Sequence, residues 1–186
     1  MRVRGPGVLV ALVCGVMLAV SGCAPGQKNV LPKISLAEAR ETQDAELERF
    51  RELVPYRIIE KDYGITPPRR AMSCDSILDM QPITPDSGVQ LFGRWRAMTS
   101  GDEDLEPLLE KIRAEYEAKP GWTVVDTRKA SEKNTFIGVT VTSPEGYLYY
   151  FDIDTEPNRE NQKTISVASS SPCVEVPEDF DIDAEY

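Results

Sequence analysis

Four cysteines and not one histidine limit the chemistry open to this chain. Without imidazole there is no Ser-His-Asp or Cys-His nucleophile, no histidine general base and no histidine-ligated zinc or iron. The phosphate-cradling GxxxxGKS/T, the dinucleotide GxGxxG and the nucleophile elbow GxSxG are also missing. Carboxylates remain: 31 Asp and Glu could supply the pair, roughly 5–10 Å apart, that a glycosidase needs. With so many acids, however, such pairs arise by accident. Asp152, Asp154, Glu156 and Asn158 have the spacing of an oxygen-ligand run for calcium. An EF-hand loop begun at Asp152 would need Gly at its sixth place and Glu at its twelfth, where Pro157 and Lys163 stand. The run therefore reads as a solvated loop. No metal or cofactor is expected, and the balance points away from an enzyme.

The cysteines sort by position. Arg2 and Arg4 precede a mostly apolar run from Val8 to Val20, too short for a comfortable membrane span, and Val20-Ser21-Gly22-Cys23 closes it. This resembles a bacterial lipobox, which implies diacylglycerol transfer to the Cys23 thiol and cleavage before it, removing residues 1–22 and Cys14 with them. An uncleaved anchor helix and an ordinary signal peptide are the competing readings. One acyl chain binds a bilayer only marginally, at about 0.8 kcal/mol per buried methylene, and a diacylglyceryl group supplies two. Residues 24–34, with two prolines, a glycine and no helical period, read as a tether reaching at most roughly 36–40 Å. The expected location is the extracytoplasmic face of a cell membrane. Cys74 and Cys173 would then meet an oxidising compartment, where a disulfide between them is predicted; two buried free thiols are the alternative. Such a bridge closes a loop of roughly 100 residues, for which the loop-entropy model gives about 4–5 kcal/mol. No CxxC and no histidine is present to lower a thiol pKa, so a redox role is not expected.

A formal net charge of −10, made more acidic by loss of Arg2 and Arg4, opposes nucleic acid and anionic headgroups as partners. Beyond the leader, the chain has an ordinary size for one domain.

The elements that must position any site can be read in outline. Ser35-Leu36-Ala37-Glu38 fits a capping box, and a helix should run to about Leu53, stopped by Pro55. Its apolar stripe is thin and broken by Gln43, so it should lie on the surface and pack mainly through its C-terminal half. Residues 56–60 and 71–74 read as short strands, residues 62–68 as loop, and 76–87 as irregular. Residues 89–98 return to strand, with Val89, Leu91 and Trp95 on one parity. Asp104 and Pro107 open a second helix that Pro120-Gly121 ends, with Leu105, Leu108, Leu109, Ile112 and Tyr116 at helical spacing. Strands come next at 122–127, 135–142, 147–153 and 164–169, the middle two joined by a turn at Pro144-Glu145-Gly146.

The sum is an α+β single domain over residues 35–174, an antiparallel sheet packed against one or two helices and closed by a disulfide. The segment 175–186, with six acids and no base, should be disordered. Trp95, Tyr147, Tyr149 and Tyr150 are candidate partner contacts, although core packing would account for most of them.

The order of these pieces resembles a group of uncharacterised actinobacterial lipoproteins. The resemblance is carried by the lipobox, Leu53-Val54-Pro55, Ser73-Cys74-Asp75, Leu91-Phe92-Gly93-Arg94-Trp95, Glu115-Tyr116-Glu117-Ala118-Lys119-Pro120-Gly121-Trp122-Thr123-Val124 and Ser169-Ser170-Ser171-Pro172-Cys173. It implies an anchored α+β domain with the late cysteines paired, and no known activity or site residues. The expectation is a lipid-anchored, non-enzymatic binding domain for an envelope protein or peptide. A small-ligand or cation-binding accessory to transport is the first alternative, and a carboxylate-driven hydrolase the second.

Overall fold

The computed structural model describes residues 31–68, 70–74, 83, 87–128, 135–181 and 183–186. The leader, Cys23 and the first part of the expected tether lie outside the described residues, and Leu31–Tyr186 form one unit. The capping box opens α1 (Leu36–Leu53): the Ser35 hydroxyl accepts from the Glu38 amide at 3.1 Å, and the Glu38 carboxylate accepts the Ser35 amide at 3.0 Å. Those donations hold the Glu38 carboxyl below its usual range. A short 3-10 turn at Tyr56–Ile58 leads into β1 (Ile59–Ile65). Then come β2 (Met72–Ser73), β3 (Val89–Gln90), β4 (Phe92–Ser100), α2 (Glu106–Glu117), β5 (Thr123–Arg128), β6 (Phe136–Thr142), β7 (Leu148–Asp154) and β8 (Gln162–Ser170).

Six strands make one sheet in the order β1-β4-β8-β7-β6-β5, every neighbouring pair antiparallel, and β2 pairs β3 separately. Both helices lie on one face. Beneath them Trp95, Ala97, Tyr149, Phe151, Ile153, Ile165, Val167, Val139 and Val141 are buried. Phe50 of α1 stacks on Tyr116 of α2 at 4.6 Å and on Phe151 of β7 at 6.1 Å, joining the two helices to the sheet. Each such ring pair contributes about 0.5–1.5 kcal/mol beyond the area it buries. The architecture is the expected α+β, and Cys74 and Cys173 are bonded across Cα atoms 6.0 Å apart.

The structure corrects four local expectations. First, Asp62-Tyr63-Gly64 belongs to β1, not to a loop. The Asp62 carboxylate accepts the Gly64 amide at 2.8 Å and Gly64 takes a positive φ of 71°, so the turn chemistry is spent on a bulge within the strand. Second, α1 packs one face along its whole length, not mainly through its C-terminal half: Leu36, Ala39, Gln43, Leu47 and Phe50 are all buried. Gln43 does not break the stripe: it is fully buried, its amide donating to the Leu91 carbonyl at 3.2 Å while its oxygen accepts from Arg40 at 3.0 Å. It stands where the main core gives way to a second one built from Leu36, Ala39, Ala71, Val89, Leu91 and Val174. Third, residues 175–186 are not a free tail. Val176, Phe180 and Tyr186 pack against that second core, Phe180 stacks on Tyr186 at 5.9 Å, and Arg40 donates to the Tyr186 main-chain oxygen at 2.9 Å. Three apolar residues dispersed among acids suffice to dock the segment, and counting charge alone hides them. Fourth, the end of the expected tether is held: the Pro32 carbonyl accepts the Glu175 amide at 3.1 Å, and Lys33 pairs with Glu175 at 3.4 Å.

Candidate functional site on the open face of the sheet

The face of the sheet opposite the helices carries two arginines, Arg94 and Arg96, that hold no carboxylate among the described residues. Strand alternation builds it. On β4, Gly93, Trp95 and Ala97 point under the helices, so Phe92, Arg94, Arg96 and Met98 point away. On β8 the outward set is Thr164, Ser166, Ala168 and Ser170, and on β7 it is Leu148, Tyr150, Asp152 and Asp154. Register sets the rows. Arg96 lies opposite Ser166, which lies opposite Asp152, which lies opposite Gly138. Arg94, Ala168, Tyr150, Thr140 and Val125 make the next row. Among the described residues no helix covers this face.

The small side chains of β8 leave a trough between β4 and β7. At one end it deepens to a depression of about 290 Å³ lined by Arg94, Arg96, Asp152, Asp154, Phe136 and Ser166 among others. Among the described residues Arg40 and Arg70 pair with carboxylates, whereas Arg57, Arg94, Arg96 and Arg159 do not. Arg49, Arg51 and Arg113 each hold a carboxylate. Among the described residues no carboxylate lies within 4.0 Å of Arg94 or Arg96. Arg96 Nε is buried without a hydrogen-bond partner, and its Nη2 has only the Met98 sulfur at 3.6 Å. Tyr63, half exposed on the bulged strand, sets its ring 5.4 Å from the Arg96 guanidinium and 4.6 Å from Lys61 Nζ. Across the trough, Asp154 Oδ2 accepts the Thr164 amide at 2.8 Å. Gly138 admits Asp152: a Cβ there would meet Asp152 Oδ1 and the Phe151 carbonyl.

Asp62 anchors the near rim of the trough. Its carboxylate accepts Trp95 Nε1 at 3.0 Å, Arg51 Nε at 2.7 Å and the Gly64 amide. Burial alone would raise its pKa; the Gly64, Trp95 and Arg51 donors overcome that and hold the carboxyl below the usual range. This hub fixes the bulge that carries Tyr63 to Arg96.

The candidate residues from the sequence fall in three places. Cys23 lies outside the described residues. Trp95, Tyr147 and Tyr149 are core residues, exposed by no more than 3% of their surface, so they cannot meet a partner. Tyr150 does reach the open face, 37% exposed, in the row of Arg94 and Ala168. Arg94, Arg96 and Tyr63 are absent from the candidates that sequence reasoning supplies. The signal for the arginines lies in Phe92-Gly93-Arg94-Trp95-Arg96, where charges alternate with residues that must face inward.

Two other hollows carry less. One of about 460 Å³ lies between the docked C-terminal segment and the start of α1, and its charged pair Lys33–Glu175 is already made. One of about 440 Å³ lies beside Pro55 and Tyr56, where Arg51 and Asp62 hold each other. Among the described residues no group of three or more carboxylates or cysteines is arranged to hold a metal ion.

No protein-family model matches the chain, and no curated protein matches it in sequence. Among solved structures it is similar to a DUF4853 family protein from Actinomyces odontolyticus. The TM-score is 0.52 at 16% identity, over 83% of this chain and 77% of that one. Such a likeness carries the fold alone. The neighbour's family name states no activity, so the function of this chain has to be argued from its own surface.

Proposed function

We propose that this chain is an exported lipoprotein, lipidated at Cys23 and held at the extracytoplasmic face of a cell membrane. Its α+β domain acts as a non-enzymatic binding module. The open face of the six-stranded sheet, where Arg94 and Arg96 lack a carboxylate among the described residues, Tyr63 lies against Arg96 and Tyr150 shares the row of Arg94 across β8, is the observation that carries the binding role. The anchor rests on the charged start, apolar middle and small-small-Cys end of residues 1–23, and the Cys74–Cys173 bond agrees with an oxidising compartment. Among the described residues no helix is long and apolar enough to cross a membrane. The partner is an envelope protein or peptide, not nucleic acid, which the chain's negative charge repels. The resemblance to uncharacterised actinobacterial lipoproteins belongs to the same reading.

Two experiments test it. Metabolic labelling with an alkyne fatty acid should mark the wild type and leave Cys23→Ala unmarked; equal labelling would remove the anchor. Capture from detergent-solubilised envelope should enrich a partner with the wild type and lose it with Arg94→Glu/Arg96→Glu. Capture indifferent to that reversal would move the binding surface elsewhere.

A further inference from the structure

We infer that β5, an edge strand of the sheet, is where two copies of this chain pair, antiparallel about a twofold axis at Val125. This edge lies four strands away from the arginines of β4, and pairing there goes beyond the binding role given to them. A sheet edge presents unpaired backbone donors and acceptors, which proteins guard with bulges, charges or a covering element. The β1 edge is guarded. Its pairing with β4 breaks register twice, Gly64 takes a positive φ, and Glu60, Lys61 and Asp62 follow one another along it. The β5 edge is plainer over Thr123–Asp126. Its register shift falls after Asp126, and among the described residues no strand pairs with its outer side. Val125 stands 61% exposed, and the one charge in that stretch, Asp126, is answered by Arg113 of α2.

Which backbone groups stand open follows from the alternation of hydrogen bonds between antiparallel strands. At the β6–β7 turn the Ser143 amide donates to the Tyr147 carbonyl at 2.9 Å. Counting back by twos, Val141 and Val139 turn their amides and carbonyls to β7, so Thr142 and Thr140 turn theirs to β5. Those two stand opposite Thr123 and Val125, which leaves Val124 and Asp126 with N–H and C=O directed outward. A second copy centred on Val125 sets each Val124 opposite the other copy's Asp126. Two hydrogen-bonded pairs result, and between them the two Val125 side chains meet in the close, non-hydrogen-bonded pair, Cα atoms about 4.5 Å apart. Neighbouring centres fit less well. An axis at Asp126 sets two carboxylates opposite each other. An axis at Val124 sets Asp126 opposite Trp122, whose amide already donates to the Lys119 carbonyl at 3.2 Å. Charge permits the Val125 centre: a net −10 repels copies at long range, but each Asp126 arrives with its own Arg113. The contact is isologous and closes at two copies. Its axis runs perpendicular to the sheet, so both open faces look the same way.

The test uses the full chain with detergent micelles in excess over protein. Under mild oxidation Val125→Cys should form a disulfide-linked dimer at least ~tenfold faster than Tyr56→Cys, because pairing raises the effective concentration of the second thiol. Tyr56 is the control because it is 84% exposed and lies just before β1, at the other edge of the sheet. Sedimentation should show a monomer–dimer equilibrium for the wild type. Val125→Lys, which sets two like charges opposite each other, should weaken that equilibrium at least ~tenfold with an unchanged circular dichroism spectrum. A chain that stays monomeric at millimolar concentration overturns the proposal. So does cross-linking no faster at Val125→Cys than at Tyr56→Cys, or a dimer that Val125→Lys leaves intact. A monomer whose β5 edge captures a strand of another envelope protein overturns the second copy as its occupant.

Discussion

Replacing Asp62 tests how the rim of the open face is held. In the wild type one carboxylate accepts the indole of fully buried Trp95, the Gly64 amide of the bulge and the Arg51 guanidinium. Asp62→Ala leaves the Trp95 N–H without an acceptor, which costs about 1–3 kcal/mol. Loss of the Gly64 bond adds about 1 kcal/mol. The Arg51 pair adds no more than ~1 kcal/mol, because Arg51 is 40% exposed and the solvent screens it. The expected destabilisation is about 2–5 kcal/mol. Asp62→Asn keeps Oδ1 as the acceptor for both Trp95 and Gly64 and gives up the ion pair and hydrogen bond with Arg51, so about 1 kcal/mol is expected. Urea unfolding followed by tryptophan fluorescence measures both. The pH dependence gives an independent check. A depressed carboxyl pKa stabilises the fold above the unfolded value, ~3.9, and that contribution is lost as pH falls through the folded value. The advantage of the wild type over Asp62→Asn should therefore begin to fall near pH ~4 and be lost only as pH drops through the depressed folded value. Equal urea midpoints for the Ala and Asn variants would refute the hub. So would an advantage over Asn that persists unchanged to pH 2.

Other perturbations reach separate parts of the molecule. Gly138→Ala should destabilise by about 1–3 kcal/mol in the same urea assay, because the added methyl meets the Phe151 carbonyl and Asp152 of β7; a neutral effect would place Asp152 elsewhere. Cys74→Ser/Cys173→Ser removes a cross-link spanning 99 residues and should cost about 2–5 kcal/mol, a loss that dithiothreitol reproduces in the wild type; insensitivity to the reductant would refute the bond. Burial first, then the Glu46 hydrogen bond for Tyr116 and the Glu46 charge for Tyr149, hold both phenols protonated far above the usual tyrosine pKa. A raised phenol pKa makes stability fall once pH exceeds the unfolded value of ~10, by up to about 2.7 kcal/mol per unit for the pair. Absorbance at 295 nm should show these two tyrosines ionising only as the chain unfolds.

How much of this is legible in the sequence depends on which force decides each element. The helices are readable because local chemistry sets them: Ser35 and Glu38 exchange hydrogen bonds within one turn, and the Leu108–Leu109–Ile112–Tyr116 stripe needs only a neighbouring sheet. The hairpin at Pro144-Glu145-Gly146 and the Cys74–Cys173 pairing are readable for similar reasons. Gln43 misleads because its place in the core depends on the Leu91 carbonyl, 48 residues away, which periodicity cannot see. The segment 175–186 misleads because six acids outweigh Val176, Phe180 and Tyr186 in any composition average. In space, Lys33 and Arg70 answer two of those acids at 3.4 and 3.0 Å.

The candidate site is the harder part, and the reason lies in the strand itself. Alternation on β4 carries two messages. The inward half, Trp95 and Ala97, is constrained by packing and so specifies the fold. The outward half, Arg94 and Arg96, is free of that constraint and in most sheets would be solvated charge with a surface partner. Only the three-dimensional arrangement distinguishes the cases. A small-residue strand, β8, separates the arginines from the aspartates of β7. Asp62 turns β1 so that Tyr63, not a carboxylate, meets Arg96. A chain with 31 acids and 21 bases has carboxylates to spare for every arginine, yet none among the described residues reaches this pair. In so acidic a chain, that absence of a described carboxylate is what singles out this face as the candidate site.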